Sequence, residues 1–182
     1  MNLNLLSNFP PEYKPNEAQQ YILSEMSKAL EQKHRFIIIQ APTASGKSMI
    51  SKTLANLSEE PNTRYVQLVQ ENKIFHPGVY NPDNYPQWGC AILTSTKSLQ
   101  DQYGRLFSDG SVSKGKVNYE CVADPTLNCQ HGYCKVSSRQ KDKCIKEHKC
   151  PYFNALNTAL INKCAFYSYS MYGCLPPHVK AR

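Results

Sequence analysis

A chain of 182 residues is long enough for one compact domain, or for one core carrying a small inserted module, and too short for a complete two-lobed motor. Its formal charge of +7 points to a polyanionic partner, nucleic acid first, and its 41% hydrophobic content supports a packed core. The 19% charged residues and 12 prolines exclude a coiled coil and a wholly disordered chain, and nothing approaches the ~18 apolar residues of a membrane span or the pattern of a secretory signal; a cytoplasmic protein without a membrane partner is expected.

The opening Phe9-Pro10-Pro11-Glu12-Tyr13-Lys14-Pro15 is extended, and Asn16 then caps a helix expected over residues 16 to 32, with Ala18, Ile22, Met26, Ala29 and Leu30 at helical spacing. Phe36-Ile37-Ile38-Ile39 is a β-branched run without polar alternation, as expected of a strand buried on both faces of a parallel sheet. A loop from Ala41 to Gly46 follows, then a helix from Lys47 whose Ile50, Leu54 and Leu57 share one face until Pro61 ends it.

Arg64 to Gln70 is expected to form another strand, and Asn72 to Trp88, with Pro77, Pro82 and Pro86, a long irregular loop. Cys90 to Thr94 is strand-like, followed by a helical pattern through Leu99, Tyr103 and Leu106. Residues 114 to 150 set eight Lys and Arg against four Asp and Glu and hold few aliphatic side chains, so a bound metal is the expected source of order there. Tyr152, Ala155, Leu156, Ala159 and Leu160 return to helical spacing, and Ala165, Tyr167, Tyr169 and Met171 alternate as a strand, with Tyr167 and Tyr169 expected in the core. The expected division is therefore an α/β core over 1–113, a cysteine-rich module over 114–151 and a return to the core over 152–182.

Ala41-Pro42-Thr43-Ala44-Ser45-Gly46-Lys47-Ser48 keeps the Gly-Lys-Ser end of a Walker A loop, set between a strand-like run and a helix start, where backbone N–H groups and the positive helix terminus converge. In such a loop Gly46 would allow close backbone approach to a phosphate, Lys47 would reach the β and γ phosphates, and the Ser48 hydroxyl would ligate Mg²⁺; the alternative reading is a chance Gly-Lys-Ser at a helix start. Ala44 stands where a glycine would tolerate a positive φ.

Of eight cysteines, Cys121, Cys129, Cys134, Cys144 and Cys150 cluster, and in a reducing compartment such a cluster reads as metal ligands rather than disulfides. A [4Fe–4S] centre and a zinc ion both suit these donors, with His131 or His148 as further candidate zinc ligands; free thiols are the third reading. Cys90, Cys164 and Cys174 lie in apolar stretches and are expected to behave as small hydrophobes.

These motifs together resemble an XPD/DinG-like iron–sulfur superfamily 2 DNA helicase. APTASGKS looks like motif I, Leu93 to Gln102 resembles motif Ia, and the module from Gly115 to Tyr152 is similar in placement to the iron–sulfur insertion. The resemblance implies a RecA-like P-loop core, ATP bound by Ala41 to Ser48, DNA-backbone contacts from Thr94, Thr96 and Lys97, and adenine contact by Gln19. It implies Cys121 and Cys150 as cluster ligands, then Cys134, with Cys129 and Cys144 competing for the remaining place. The family's acidic pair is missing, since no Asp-Glu dipeptide occurs, so the chain is expected to be the front part of a helicase, inactive alone, whose parent acts on single-stranded or forked DNA. The alternative is a zinc-stabilised nucleic-acid-binding module without ATPase activity.

Overall fold

The computed structural model describes residues 4–71, 73–75, 89–135, 138–147 and 150–179. Two units are present, Met1–Glu59 and Glu60–Arg182, a division at a point the composition does not mark.

The first unit is helical. Asn16 accepts from the Gln19 N–H at 2.8 Å while Gln19 Oε1 accepts from the Asn16 N–H at 2.9 Å, and this reciprocal capping box starts α1, Glu17–Glu31. α2, Lys47–Leu57, begins at the phosphate-loop motif as expected. Leu23 and Met26 of α1, Ile50 of α2, and Leu5 and Phe9 of the preceding segment form the core. Ser27 fastens that segment, accepting from the Leu5 N–H at 3.2 Å and donating to the Leu23 carbonyl at 2.8 Å.

Phe36 to Ile39 departs from expectation. The segment is not a strand, and it is not buried on both faces: Ile37 and Ile39 pack against the core of the first unit, whereas Phe36 and Ile38 are 79% and 94% exposed. This unit contains no strand among its described residues, so the run has no ladder to join.

The second unit is mixed α/β. Its sheet consists of β1, Cys90–Thr94, β2, Ser111–Ser113, and β5, Cys164–Ser168, in the order β1-β5-β2, all parallel. In register, Ala91 faces Ala165 and Leu93 faces Tyr167 on one side, and Val112 faces Phe166 on the other. The central strand is buried from Cys164 to Tyr167, as a strand covered on both faces should be. α4, Lys97–Leu106, follows β1; its Tyr103 ring stacks on Phe166 at 5.2 Å, and Gln100 donates to the Ser113 carbonyl at 3.3 Å.

Two further expectations are corrected. Residues 64–70 are not a strand but α3, Thr63–Gln70, because Asn62 caps the Tyr65 N–H and Tyr65, Leu68 and Val69 fall on one buried helical face. The alternation from Ala165 to Met171 stops at Ser168, whose hydroxyl accepts from the Met171 N–H at 3.2 Å and starts α7, Tyr169–Gly173. Tyr167 is core as expected, but Tyr169 is exposed. The expected loop over 72–88 lies outside the described residues except for a short 3₁₀ turn at Lys73–Phe75.

The cysteine-rich stretch contains a small antiparallel pair, β3, Glu120–Cys121, with β4, Asp124–Asn128, then α5, Ser138–Glu147. It leads into α6, Pro151–Ile161, which has Pro151 at its first position, where the missing N–H costs nothing. Tyr152, Phe153, Leu156 and Leu160 of α6 share a core with α3, β5, Cys129, Cys144 and Cys150. No helix among the described residues is long and apolar enough to cross a membrane.

Truncating a buried aromatic removes transfer energy and leaves a cavity. Phe166→Ala is expected to cost the second unit about 3–5 kcal/mol in urea unfolding, whereas Phe36→Ala, at an exposed site, should change the first unit by no more than about 0.5 kcal/mol.

Candidate functional site

The phosphate loop belongs to the first unit. Gly46 caps α2 at φ 80°, in the left-handed region where glycine is favoured, and Ala44 is also left-handed at φ 63°. Ala44 therefore carries the strain its side chain implies, roughly 1–2 kcal/mol. The Lys47 ammonium folds back and donates to the Ala41 carbonyl at 2.9 Å and the Pro42 carbonyl at 2.5 Å. Ser48, in the first turn of α2, uses its hydroxyl in no hydrogen bond among the described residues, and the buried Ser45 Oγ lacks a partner. Thr43 is exposed in the same loop.

Gln19, the residue expected to contact adenine, is engaged at both ends of its amide within the first unit. Its Oε1 is engaged in the capping box and its Nε2 donates to the Gly46 carbonyl at 3.2 Å, so the side chain straps the start of α1 to the turn that opens α2. A Cβ on Gly46 would stand 2.1 Å from Gln19 Nε2, so the glycine serves close approach as well as positive φ.

In the second unit, the β1–α4 turn divides its roles. Buried Thr94 donates to the Thr96 carbonyl at 3.1 Å, and Thr96 Oγ1 accepts from the Leu99 N–H at 3.3 Å as the α4 cap. Both hydroxyls shape the turn, and Lys97 is the exposed cation that it presents.

The five clustered cysteines are brought to one region, as free thiols. Cys121, Cys129, Cys144 and Cys150 are buried and Cys134 is half-buried. Cys129 Sγ lies 3.8 Å from Cys150 Sγ and 3.3 Å from the Glu120 carbonyl, and Cys134 Sγ approaches the Cys129 carbonyl at 3.9 Å. Burial first, and then the neighbouring Cys150, push the Cys129 thiol up to about 12. Burial, then Cys150, Cys134 and Cys121, push Cys144 to about 11. Among the described residues no three His, Cys, Asp or Glu side chains stand in ready ligand positions around a common point. The separation of Cys129 and Cys150 matches the edge of a tetrahedron with ~2.3 Å zinc–sulfur bonds, about 3.8 Å. A thiol-only, desolvated donor set suits a soft metal. His131 is exposed, and His148 lies outside the described residues.

Two participants escape a reading of the chain alone. Gly132 lets the loop between Cys129 and Cys134 pass Cys121, since a Cβ there would meet Cys121 Sγ at 2.8 Å; a lone glycine between two cysteines was the available signal. Lys116 places its ammonium 5.2 Å from the Tyr152 ring centroid and 5.9 Å from that of Phe153, a contact between distant segments with no local signature.

The Gln19–Gly46 strap yields a double-mutant test. Gly46→Ala should destabilise the first unit through both φ strain and the clash with Gln19, by more than the ~1–2 kcal/mol of backbone strain alone. Adding Gln19→Ala should remove the steric part and leave the strain, a non-additivity visible in denaturant unfolding. The chain matches no protein-family model, no curated protein and no solved structure, so the functional reading rests on the geometry and its resemblance to known motifs.

Proposed function

We propose that this chain is the N-terminal ATP-binding and iron–sulfur portion of an XPD/DinG-like DNA helicase, with a RecA-like P-loop core, whose parent couples ATP hydrolysis to translocation on single-stranded or forked DNA. The observation that carries the reading is the position of Lys47, whose ammonium rests on two neutral loop carbonyls at the N-terminus of α2. Phosphate oxygens offer that ammonium charge-assisted bonds in place of neutral ones. The first-turn N–H groups of α2 lack intrahelical partners and, with the helix dipole, favour an anion there.

Each neighbouring residue then has a distinct role. Gly46 keeps the backbone close to the bound phosphate, Ser48 presents a hydroxyl with no competing bond to a Mg²⁺ ion, and Ala41 and Pro42 receive Lys47 when phosphate is absent. Gln19 acts as a positioning residue by holding the Gly46 carbonyl. Lys97 supplies a positive charge to a DNA phosphate, and Thr94 and Thr96 hold the turn that presents it. Four of Cys121, Cys129, Cys134, Cys144 and Cys150 hold the [4Fe–4S] centre, which when bound cross-links a segment poor in aliphatic side chains.

A second reading, a zinc-stabilised nucleic-acid-binding module without ATPase activity, is favoured by one observation, the Cys129–Cys150 separation of 3.8 Å, which suits two ligands of a single small ion.

Two measurements separate these readings. Mg·ATP at about 100 times its Kd should stabilise the protein by about 2.7 kcal/mol, and Lys47→Ala should abolish most of that gain. Anaerobically purified protein should contain iron and acid-labile sulfide. Zinc without iron, together with melting indifferent to Mg·ATP in both wild type and variant, would establish the second reading instead.

A further inference from the structure

We propose that the second unit carries a phosphate-binding cavity, between Lys116 and Lys135, that takes the phosphate of a free nucleotide or of one link in a nucleic-acid strand. This site belongs to the other unit from the phosphate loop and does not depend on the ATPase reading.

The cavity has a volume of about 410 Å³, within the ~300–1,000 Å³ range of small-molecule sites. Gly115, Lys116, Gln130, Lys135, Tyr152 and Ser170 contribute to its wall. Lys116 is half-buried, with its ammonium over the rings of Tyr152 and Phe153, and Lys141 places a second ammonium 5.7 Å from the Phe153 centroid. The aromatic faces offset part of the cost of withdrawing Lys116 from water, but they supply no counter-charge.

Charge pairing elsewhere sharpens the contrast. Lys28, Lys73, Lys114 and Lys163 each lie within ion-pair distance of a carboxylate, whereas Lys116, Lys135 and Lys141 have no such partner among the described residues. A half-buried ammonium near other cations gains most from a multiply charged, compact anion, and a phosphate bearing one or two charges meets that need. Gln130 and Ser170 add neutral hydrogen-bonding groups to the same wall.

The cations stand on a fixed frame. Lys116 opens the 3₁₀ turn Lys116–Asn118, which the Asn118 N–H closes onto the Gly115 carbonyl at 3.0 Å. The adjacent Lys114 N–H donates to the Tyr119 hydroxyl at 3.0 Å, and the Tyr119 ring meets Tyr152 edge to face at 5.9 Å. Because Lys116 occupies the Tyr152 face, the recognised part of the ligand is its phosphate rather than a stacked base. The same ammonium lies near Cys134 and Cys150, so charge balance for metal-bound thiolates is the competing role, and the test must read both.

The experiment uses the full chain carrying Lys47→Ala, which silences the phosphate loop, and titrates inorganic phosphate, AMP and a short oligothymidine by calorimetry and anisotropy, with metal content measured on each sample. Lys135→Glu, at an exposed position that should not disturb folding, and Lys116→Ala are each expected to weaken binding at least tenfold with metal content unchanged. Competition by AMP and phosphate at low concentration identifies a free-nucleotide site, whereas binding of the oligonucleotide alone identifies a strand contact; either outcome supports the cavity. Titrations that bind nothing, that neither substitution weakens, or that weaken only in step with lost metal, overturn the proposal.

Discussion

The second unit depends on one packing arrangement, the burial of α6 against the central strand β5. Leu156, Ala159 and Leu160 of the helix and Ala165 and Tyr167 of the strand are almost wholly removed from water, and Cys129, Cys144 and Cys150 join the same cluster. The cysteine-rich stretch is too basic and too poor in aliphatic residues to close a core of its own. It uses this one instead, through Cys150, which sits at the N-cap of α6 and within 3.8 Å of Cys129. Protonated and desolvated, these thiols count as small apolar groups. The same side chains therefore contribute to the core and remain available as soft donors.

The phosphate loop works by the opposite means, through local strain rather than burial. Two left-handed residues, Ala44 and Gly46, turn the backbone within three positions, and only the second is a glycine. The capping box and the Gln19 bond to Gly46 hold that turn from α1, while Ile37 and Ile39 anchor the segment before it. Lys47 contributes to the resting shape by bridging the first two loop carbonyls. A loop held this way has little backbone order left to lose.

What was legible in the chain tracks how local its causes are. Asn16 with Gln19, Gly46-Lys47-Ser48, the strand at Cys90–Thr94 and the helix after Cys150 all carry their determinants within a few residues, and each is in place. Phe36 to Ile39 had the composition of a central strand, but strand pairing needs a neighbour, and composition does not reveal whether one is present. Residues 64–70 read as a strand, while the Asn62 cap and the spacing of Tyr65, Leu68 and Val69 decided for a helix. The cysteine set was visible as a cluster. The approach of Cys129 to Cys150, 21 positions apart, and the seat of Lys116 on α6 are tertiary facts that spacing does not encode.

The placement of charge follows from the same division between core and surface. The stretch 114–150 has twice as many basic as acidic residues, and the thiols that pack beneath it, neutral when protonated, offer Lys116 no counter-charge. Lys116 obtains partial relief from the faces of Tyr152 and Phe153, which also hold α6 in the core. Burial of α6 thus fixes the rings, the rings fix the ammonium, and the ammonium borders the cavity. Deprotonation of the thiols by a soft metal would add negative charge near Lys116, while Lys135, exposed on the same cavity wall, would keep its charge directed outward. Thiolate charge and a bound anion would thus meet the demand of the same ammonium, so the two compensations would compete at Lys116.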